Sequence, residues 1–368
     1  MWYATRMVRR RACVVLLAFA SLLGGCAAGA GAGEDDGGGS GGSGAGTVAG
    51  LDGYAFRAPL TLENAADDVS VRLTFDHATL VAAGSAMEDG SDVRVAFVDE
   101  AGNRTELARV LDRPSAWDST TTSLFFRSQP VDAGPGTYFV YYGHPEPGAP
   151  PADAAAVFDV WDDFDTQDDD SWTLDEIGGA TDGAFSVTQG SGRVSGTTQD
   201  ISGMADNFVF LNREMNGDFL AEVEVANAGG SLGGDAKTGG LMVRQSIAPD
   251  SRHVTASLLR TPRSAIGVRR EADGGDTTDN QTAVSDTYPI YFRVQRIGGT
   301  VTAQYSENGS TYTSLGAGVD IGLTDPVLLG IPVANISGAP GNVDTEWFRV
   351  RAPNLPEPRA SVGAEEAL

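Results

Sequence analysis

From about residue 30 onward the chain never keeps a 3.6-residue apolar period. Instead, apolar residues recur at every second position in short runs separated by Gly, Asn, Asp and Pro. Val93-Arg94-Val95-Ala96-Phe97-Val98 is one such run, and Thr137-Tyr138-Phe139-Val140-Tyr141-Tyr142, closed by Gly143, is a run rich in β-forming residues. A period of two places alternate side chains on opposite faces of a strand and forbids an amphipathic helix, so the chain is expected to be all-β. In the first run the alternation directs Arg94 outward. At 368 residues the chain is too long for one ordinary core, which predicts two β-sandwich domains in tandem.

The N-terminus reads differently. Arg6, Arg9, Arg10 and Arg11 precede an apolar stretch, 12–23. That stretch is shorter than the roughly 20 residues needed to span a bilayer, so residues 1–25 are expected to be a signal peptide. It ends Leu23-Gly24-Gly25-Cys26, which resembles the bacterial lipobox. There, small residues let the signal peptidase bind and the thiol takes a diacylglyceryl group. The resemblance implies lipidation at Cys26, and Ala27 after it implies sorting to the outer membrane or cell surface. Residues 26–50 are the lipidated Cys and a Gly-rich tether, with a root-mean-square reach on the order of 25–30 Å. Cys13 and Cys26 are the only cysteines, so the body is expected to hold no disulfide and no cysteine-metal or thiol chemistry.

Formal net charge is −25. A surface this acidic repels nucleic acid and anionic headgroups, which leaves a lipid anchor as the expected membrane contact.

Residues 51–157 carry several strand-length runs, enough for a small β-sandwich. Their motifs, "YAFRAPLTLEN", "GSDVRVAFVDEAGNRTEL" and "GTYFVYYGHPEPGAPPADAAAVFDVWDDF", resemble an uncharacterised β-domain family of prokaryotic surface proteins. That family also occurs beside proton-channel proteins of the ExbB/TolQ type. His144 stands where the family usually has Asn, and the resemblance implies fold and location, not chemistry.

Residues 158–352 continue with strand candidates whose turn spacing suits a two-sheet jelly roll. Asn308-Gly309 is expected to form a type I′ hairpin turn, with positive φ at both residues. The stretches "GDFLAEVEV", "KTGGLMVRQS", "YFRVQRIGGTVTAQYSENGSTYTSLG" and "DTEWFRV" resemble concanavalin-like and laminin-G-like jelly rolls, such as the C-terminal part of some β-xylosidases. Members of that group bind glycans or accompany catalytic domains. Residues 353–368, rich in Pro, Ala and Glu, are expected to be a disordered tail.

Three sets of residues are candidates for chemistry. Lys237, Arg244, Arg269, Tyr291 and Arg293 fall in central strands and are expected to line one concave face that binds a polyhydroxylated or anionic ligand. Glu222 and Glu224 share a strand face, as paired carboxylates of a glycoside hydrolase would, although the same alternation is met if both simply face solvent. Asp162, Asp163 and Asp165 lie in an acidic run that could hold Ca2+. His77, His144 and His253 show no metal spacing, and no Gly-x-Ser-x-Gly elbow is present. The leading expectation is a non-catalytic envelope protein that binds carbohydrate or a related polymer. The alternatives are a structural or adhesive spacer that binds envelope proteins and, third, a glycoside hydrolase.

Overall fold

The structure is a computed structural model that describes residues 51–368 except 169, 231–235, 337 and 339. The leader, Cys26 and the tether lie outside the described residues. The regular structure of the described residues is nearly all strand, and none of their helices is long and apolar enough to cross a membrane.

The first body is one sheet folded on itself. Along the sheet its strands run Arg104–Leu107, Arg94–Asp99, Gly136–Tyr142, Phe56–Glu63, Arg359–Val362, Ser70–Phe75, Thr122–Arg127 and Arg109–Leu111. The two strands at the ends of that order are neighbours in sequence, separated by Ala108, so the sheet curls round towards closure and leaves little open edge. Val71, Leu73, Val95, Leu124, Phe126 and Val140 fill the interior.

Two expectations fail here. Residues 353–368 are not a disordered tail. Arg359–Val362 lies between two strands of the first body, antiparallel to Phe56–Glu63 and parallel to Ser70–Phe75. Glu366–Ala367 pairs with the start of the same Phe56 strand. Backbone pairing holds this segment in spite of its composition, since of Arg359–Val362 only Ala360 is buried. Arg94 does not face solvent either. It is buried, its Nε lies 2.7 Å from Glu106, and it donates to the carbonyls of Ser91, Pro147 and Gly148. The alternation placed Arg94 on the correct face, but loop 147–148 covers that face.

The second body is the jelly-roll β-sandwich. One seven-stranded sheet runs Thr278–Ala283, Arg263–Arg270, His253–Arg260, Lys237–Arg244, Val327–Val333, Phe208–Met215 and Thr173–Ile177. The facing sheet runs Thr313–Ser314, Thr300–Ser306, Ile290–Ile297, Phe219–Val225, Phe348–Arg351 and Val160–Asp162, with Val319–Asp320 also paired to the Thr300 strand. Ala221, Val223, Leu241, Val243, Phe292, Val294, Leu329 and Ile331 fill the space between them. A four-stranded sheet, Thr181–Val187, Gly192–Thr197, Pro340–Thr345 and Asn227–Gly230, extends the sandwich. In the Lys237 strand the register slips between Thr238 and Leu241, where Gly239 and Gly240 have φ of +69° and +84°. A Cβ on Gly240 would come within 2.0 Å of the Ala256 carbonyl oxygen, so this bulge requires glycine.

The turn at Asn308-Gly309 is not type I′. Only Gly309 has positive φ, and the flanking strands pair as Tyr305 with Thr313, leaving a longer loop. The Asn308 side-chain oxygen accepts from the amides of Ser310 and Thr311, a local side-chain turn that replaces the tight hairpin.

Candidate functional site

The five residues expected on one concave face are spread over three surfaces. Arg244 is fully buried on the outer side of the first seven-stranded sheet. It approaches Asp206 at 3.4 Å and donates to the carbonyls of Ser246 and Ala248, and burial lowers its pKa to about 10. Lys237 pairs with Asp200 at 2.7 Å. Arg269 is opposite the core residue Val254, so it lies on the other face from Arg244, and it pairs with Glu271. Tyr291 and Arg293 belong to the facing sheet and are buried against the first body. Alternation correctly put Met242 and Arg244 on one face and Tyr291 and Arg293 on one face, but the slip at Gly239-Gly240 breaks it for Lys237, and which sheet each strand joined was not encoded in the runs. The expected ligand face is therefore absent, and each of its cations is held in an ion pair, that of Arg269 at the surface.

Arg244 belongs to a closed cluster. Arg270 holds Asp206 with two bonds of 2.7 and 2.8 Å and also donates to the carbonyls of Gly203, Pro249, Ser251 and Gly275. His253 beside them is fully buried. Burial, then the two arginines, hold its pKa well below the usual range, so it is neutral. This cluster fastens three loops to the sheet.

The two glutamates face the first body, not solvent and not an open cleft. Glu222 is completely buried and accepts from Arg293 at 2.6 Å, Arg349 at 2.7 Å and Arg351 at 3.4 Å. Burial pushes its carboxyl up, but Arg349, Arg293 and Arg351 outweigh it and hold the pKa well below the ordinary value. Arg349 reaches across to Asp112 of the first body at 2.8 Å, and Asp112 also pairs with Arg72 at 2.8 Å. Glu357, on the segment leading to the returning strand, pairs with Arg293 at 2.7 Å and Arg351 at 2.5 Å. Phe125 and Phe158 lie beneath the Arg349 guanidinium, 4.8 and 5.5 Å away. Charges from both bodies and from the returning segment thus form one buried network.

The carboxylate of Glu224, two residues on, accepts one bond among the described residues, from Trp347 Nε1 at 2.8 Å. Burial raises its pKa to about 7, with Glu346 adding to the rise. A proton-shuffling pair of glycosidase type needs both carboxyls open to one substrate. Here Glu222 is locked in salt bridges and both lie under the first body.

The aspartates proposed for Ca2+ do not converge. Asp162 accepts from Trp172 Nε1 at 2.6 Å and from the amide of Phe164 at 2.8 Å, and Asp163 faces Arg113 at 3.5 Å. Among the described residues no three acidic, His or Cys side chains are grouped to hold a metal.

One polar surface was not anticipated. Across the four-stranded sheet, Ser186, Arg193, Asp344 and Asn227 stand directly opposite one another in adjacent strands and form a single row. Arg193 donates to both oxygens of Asp344, at 2.6 and 2.8 Å, and Asn227 Nδ2 donates to Asp344 Oδ2 at 3.2 Å. Ser186, Thr188, Ser191, Arg193 and Asp344 line a recess of about 300 Å³. The row joins residues up to 151 positions apart, so no local motif could reveal it.

No family model matches the chain, and no curated protein matches its sequence. Among solved structures, a functionally unknown protein from Saccharomyces cerevisiae aligns with 50% of this chain and 97% of its own length, at 16% identity and a TM-score of 0.40. A GH43 protein from Bacillus licheniformis aligns with 70% of this chain at 19% identity and a TM-score of 0.41; the chain spans 53% of that protein. The catalytic domain of an endo-1,3-beta-glucanase (laminarinase) from Thermotoga petrophila aligns with 53% of this chain and 96% of its own length, at 12% identity and a TM-score of 0.37.

Proposed function

We propose that the chain is a lipid-anchored, non-catalytic protein of the cell envelope. Its two β-bodies, fastened as one unit, present a face to carbohydrate or a related polymer outside the membrane. The observation that carries this reading is the buried network around Glu222. It consumes the carboxylate and arginines that chemistry would have needed and couples the two bodies through groups that cannot be solvated singly. In this reading the leader and Cys26 supply the anchor, and the Gly-rich sequence after Cys26 sets the unit's distance from the membrane. The polymer has an open, hydrogen-bonding surface in the four-stranded sheet.

Cells fed an alkyne-tagged fatty acid should label the protein and retain it in the membrane fraction. Cys26→Ser should lose the label and appear in the soluble fraction. A Cys26→Ser protein that stays with the membrane would sink the anchoring part of the proposal. A second reading, a structural or adhesive spacer that binds envelope proteins, is favoured by the same junction, because the coupling needs no ligand. Polysaccharide binding by the intact chain separates the two.

A further inference from the structure

We infer that the outer face of the four-stranded sheet binds a neutral, polyhydroxylated ligand. Arg193, Asp344 and Asn227 grip it, and Ser186 and Thr188 line the recess beside them. This rests on the polymer-binding reading above and gives it a place and a ligand class.

The hydrogen-bond inventory carries the argument. A guanidinium has five N–H donors, and Arg193 uses two on Asp344. Its other three have no partner among the described residues, and its side chain is 55% exposed. Asp344 accepts three bonds, from Arg193 twice and Asn227 once, which leaves lone-pair capacity toward the surface. Among the described residues neither the Asn227 side-chain carbonyl oxygen nor the hydroxyls of Ser186 and Thr188 have a protein partner. The exposed row therefore alternates donors and acceptors at the strand spacing of about 4.8 Å. A run of sugar hydroxyls, each both donor and acceptor, complements such a row.

Charge and shape narrow the class. The Arg193 fork is already neutralised by a carboxylate 2.6 Å away, so an anionic ligand would meet Asp344 as well as the arginine. Among the described residues no aromatic or aliphatic side chain lines the recess, which removes the apolar platform that an aromatic ligand needs. The remaining class is a neutral polyol, and about 300 Å³ suits one or two sugar rings of a longer chain. The bidentate pair also fixes Arg193 before the ligand arrives, so little side-chain freedom is lost on binding.

The test is affinity electrophoresis of the full chain carrying Cys26→Ser, in gels containing dextran, starch, galactomannan or xylan, with alginate as the anionic comparison. At least one neutral polysaccharide should retard the protein. Arg193→Ala should weaken that retardation about tenfold, the equivalent of one or two hydrogen bonds. Ser186→Val should do the same by filling the recess, while the Arg193–Asp344 pair stays intact and a β-branched residue suits the strand. Arg269→Ala, on another surface, should change nothing. Retardation that both Arg193→Ala and Ser186→Val keep within twofold overturns this placement while the polymer-binding reading stands. Retardation by alginate alone overturns the ligand class. No retardation by any polysaccharide overturns the inference and the reading beneath it. Melting curves matching the parent protein show that each variant is folded.

Discussion

Glu222 and Glu224 sit two residues apart on one strand and one face, yet their surroundings drive them in opposite directions. Glu222 meets three guanidinium groups and stays ionised although it is fully buried. Removing one member of such a network leaves charge buried without a partner, typically a loss of about 3–5 kcal/mol. Glu224 meets an indole N–H, a neighbouring Glu346 and the ring of Tyr291 on the adjacent strand, with Arg113 as the nearest favourable charge. Its pKa of about 7 in the folded chain exceeds the ordinary 4.5, so the folded state holds this proton more tightly than the unfolded one. The sign follows. This carboxyl makes stability fall as pH rises from 4.5 through about 7, by on the order of 3 kcal/mol in all, and adds no further slope above that. Glu357 acts oppositely. Burial opposes its charge, but Arg351 and Arg293 hold it near 2, so its contribution is present above 4.5 and is lost as pH falls toward 2. Burial of neutral His253 acts the other way, adding stability as pH rises toward 6.5 in either protein, so the Glu224 contribution is read as a difference. In urea unfolding from pH 4.5 to 9, the native chain should lose stability relative to Glu224→Gln, which keeps an oxygen for the indole, with most of that loss between pH 5 and 7. Parallel curves for the two proteins would refute the assignment. The sequence revealed that these glutamates share a face, through the two-residue period. What covers that face was not legible, because Asp112, Arg349 and Glu357 come from distant segments.

At the scale of elements, legibility followed burial on alternating faces. Val93–Val98, by its apolar residues at period two, and Gly136–Tyr142, by its run of aromatic and β-branched residues, each mark a strand in isolation, and both strands formed. Thr278–Ala283 is wholly exposed at a sheet edge, and Arg359–Val362 buries one residue, so neither leaves an apolar signature. The returning strand nonetheless fills a slot inside the first sheet, and Glu357 just before it closes the charge network. Ending the chain after Ala352 would leave Phe56–Glu63 and Ser70–Phe75 facing each other unpaired and strip Arg293 and Arg351 of a carboxylate. The stranded cations alone should cost about 3–5 kcal/mol, or roughly 10 °C in Tm. Proteolysis should then begin in the first body. Removing only residues 364–368, which pair through Glu366–Ala367 alone, should shift Tm by about 2 °C or less. Equal melting of the two truncated chains would mean that the returning strand is ornamental.

For the whole molecule, the distribution of charge says more than its sum. The chain has 50 acidic residues against 25 basic ones, and its single lysine, Lys237, is buried against Asp200. Among the described residues many arginines are likewise turned inward, as Arg94, Arg244, Arg270, Arg293, Arg349 and Arg351 all are. The cations that balance the sum therefore do little to balance the surface, where carboxylates repel one another. Mutual repulsion weakens the compact state, and salt screens it once the Debye length, about 10 Å at 0.1 M, falls below the spacing of surface charges. The exposed ion pairs, such as Arg127 with Asp68, would be weakened by the same salt, but each is worth only about 0–1 kcal/mol. The buried pairs are shielded from it. Repulsion therefore dominates the balance, and the protein should gain stability with ionic strength. Between 0.05 and 0.5 M KCl at pH 7.5 the expected gain is about 2–3 kcal/mol, or roughly 5–10 °C in Tm. At pH 4, where many surface carboxylates are protonated, the same salt step should have a much smaller effect. Sucrose, which strengthens burial without screening charge, should not reproduce the pH dependence of the salt effect. A Tm that stays level or falls as KCl rises at pH 7.5 would show that the outer carboxylates do not oppose folding.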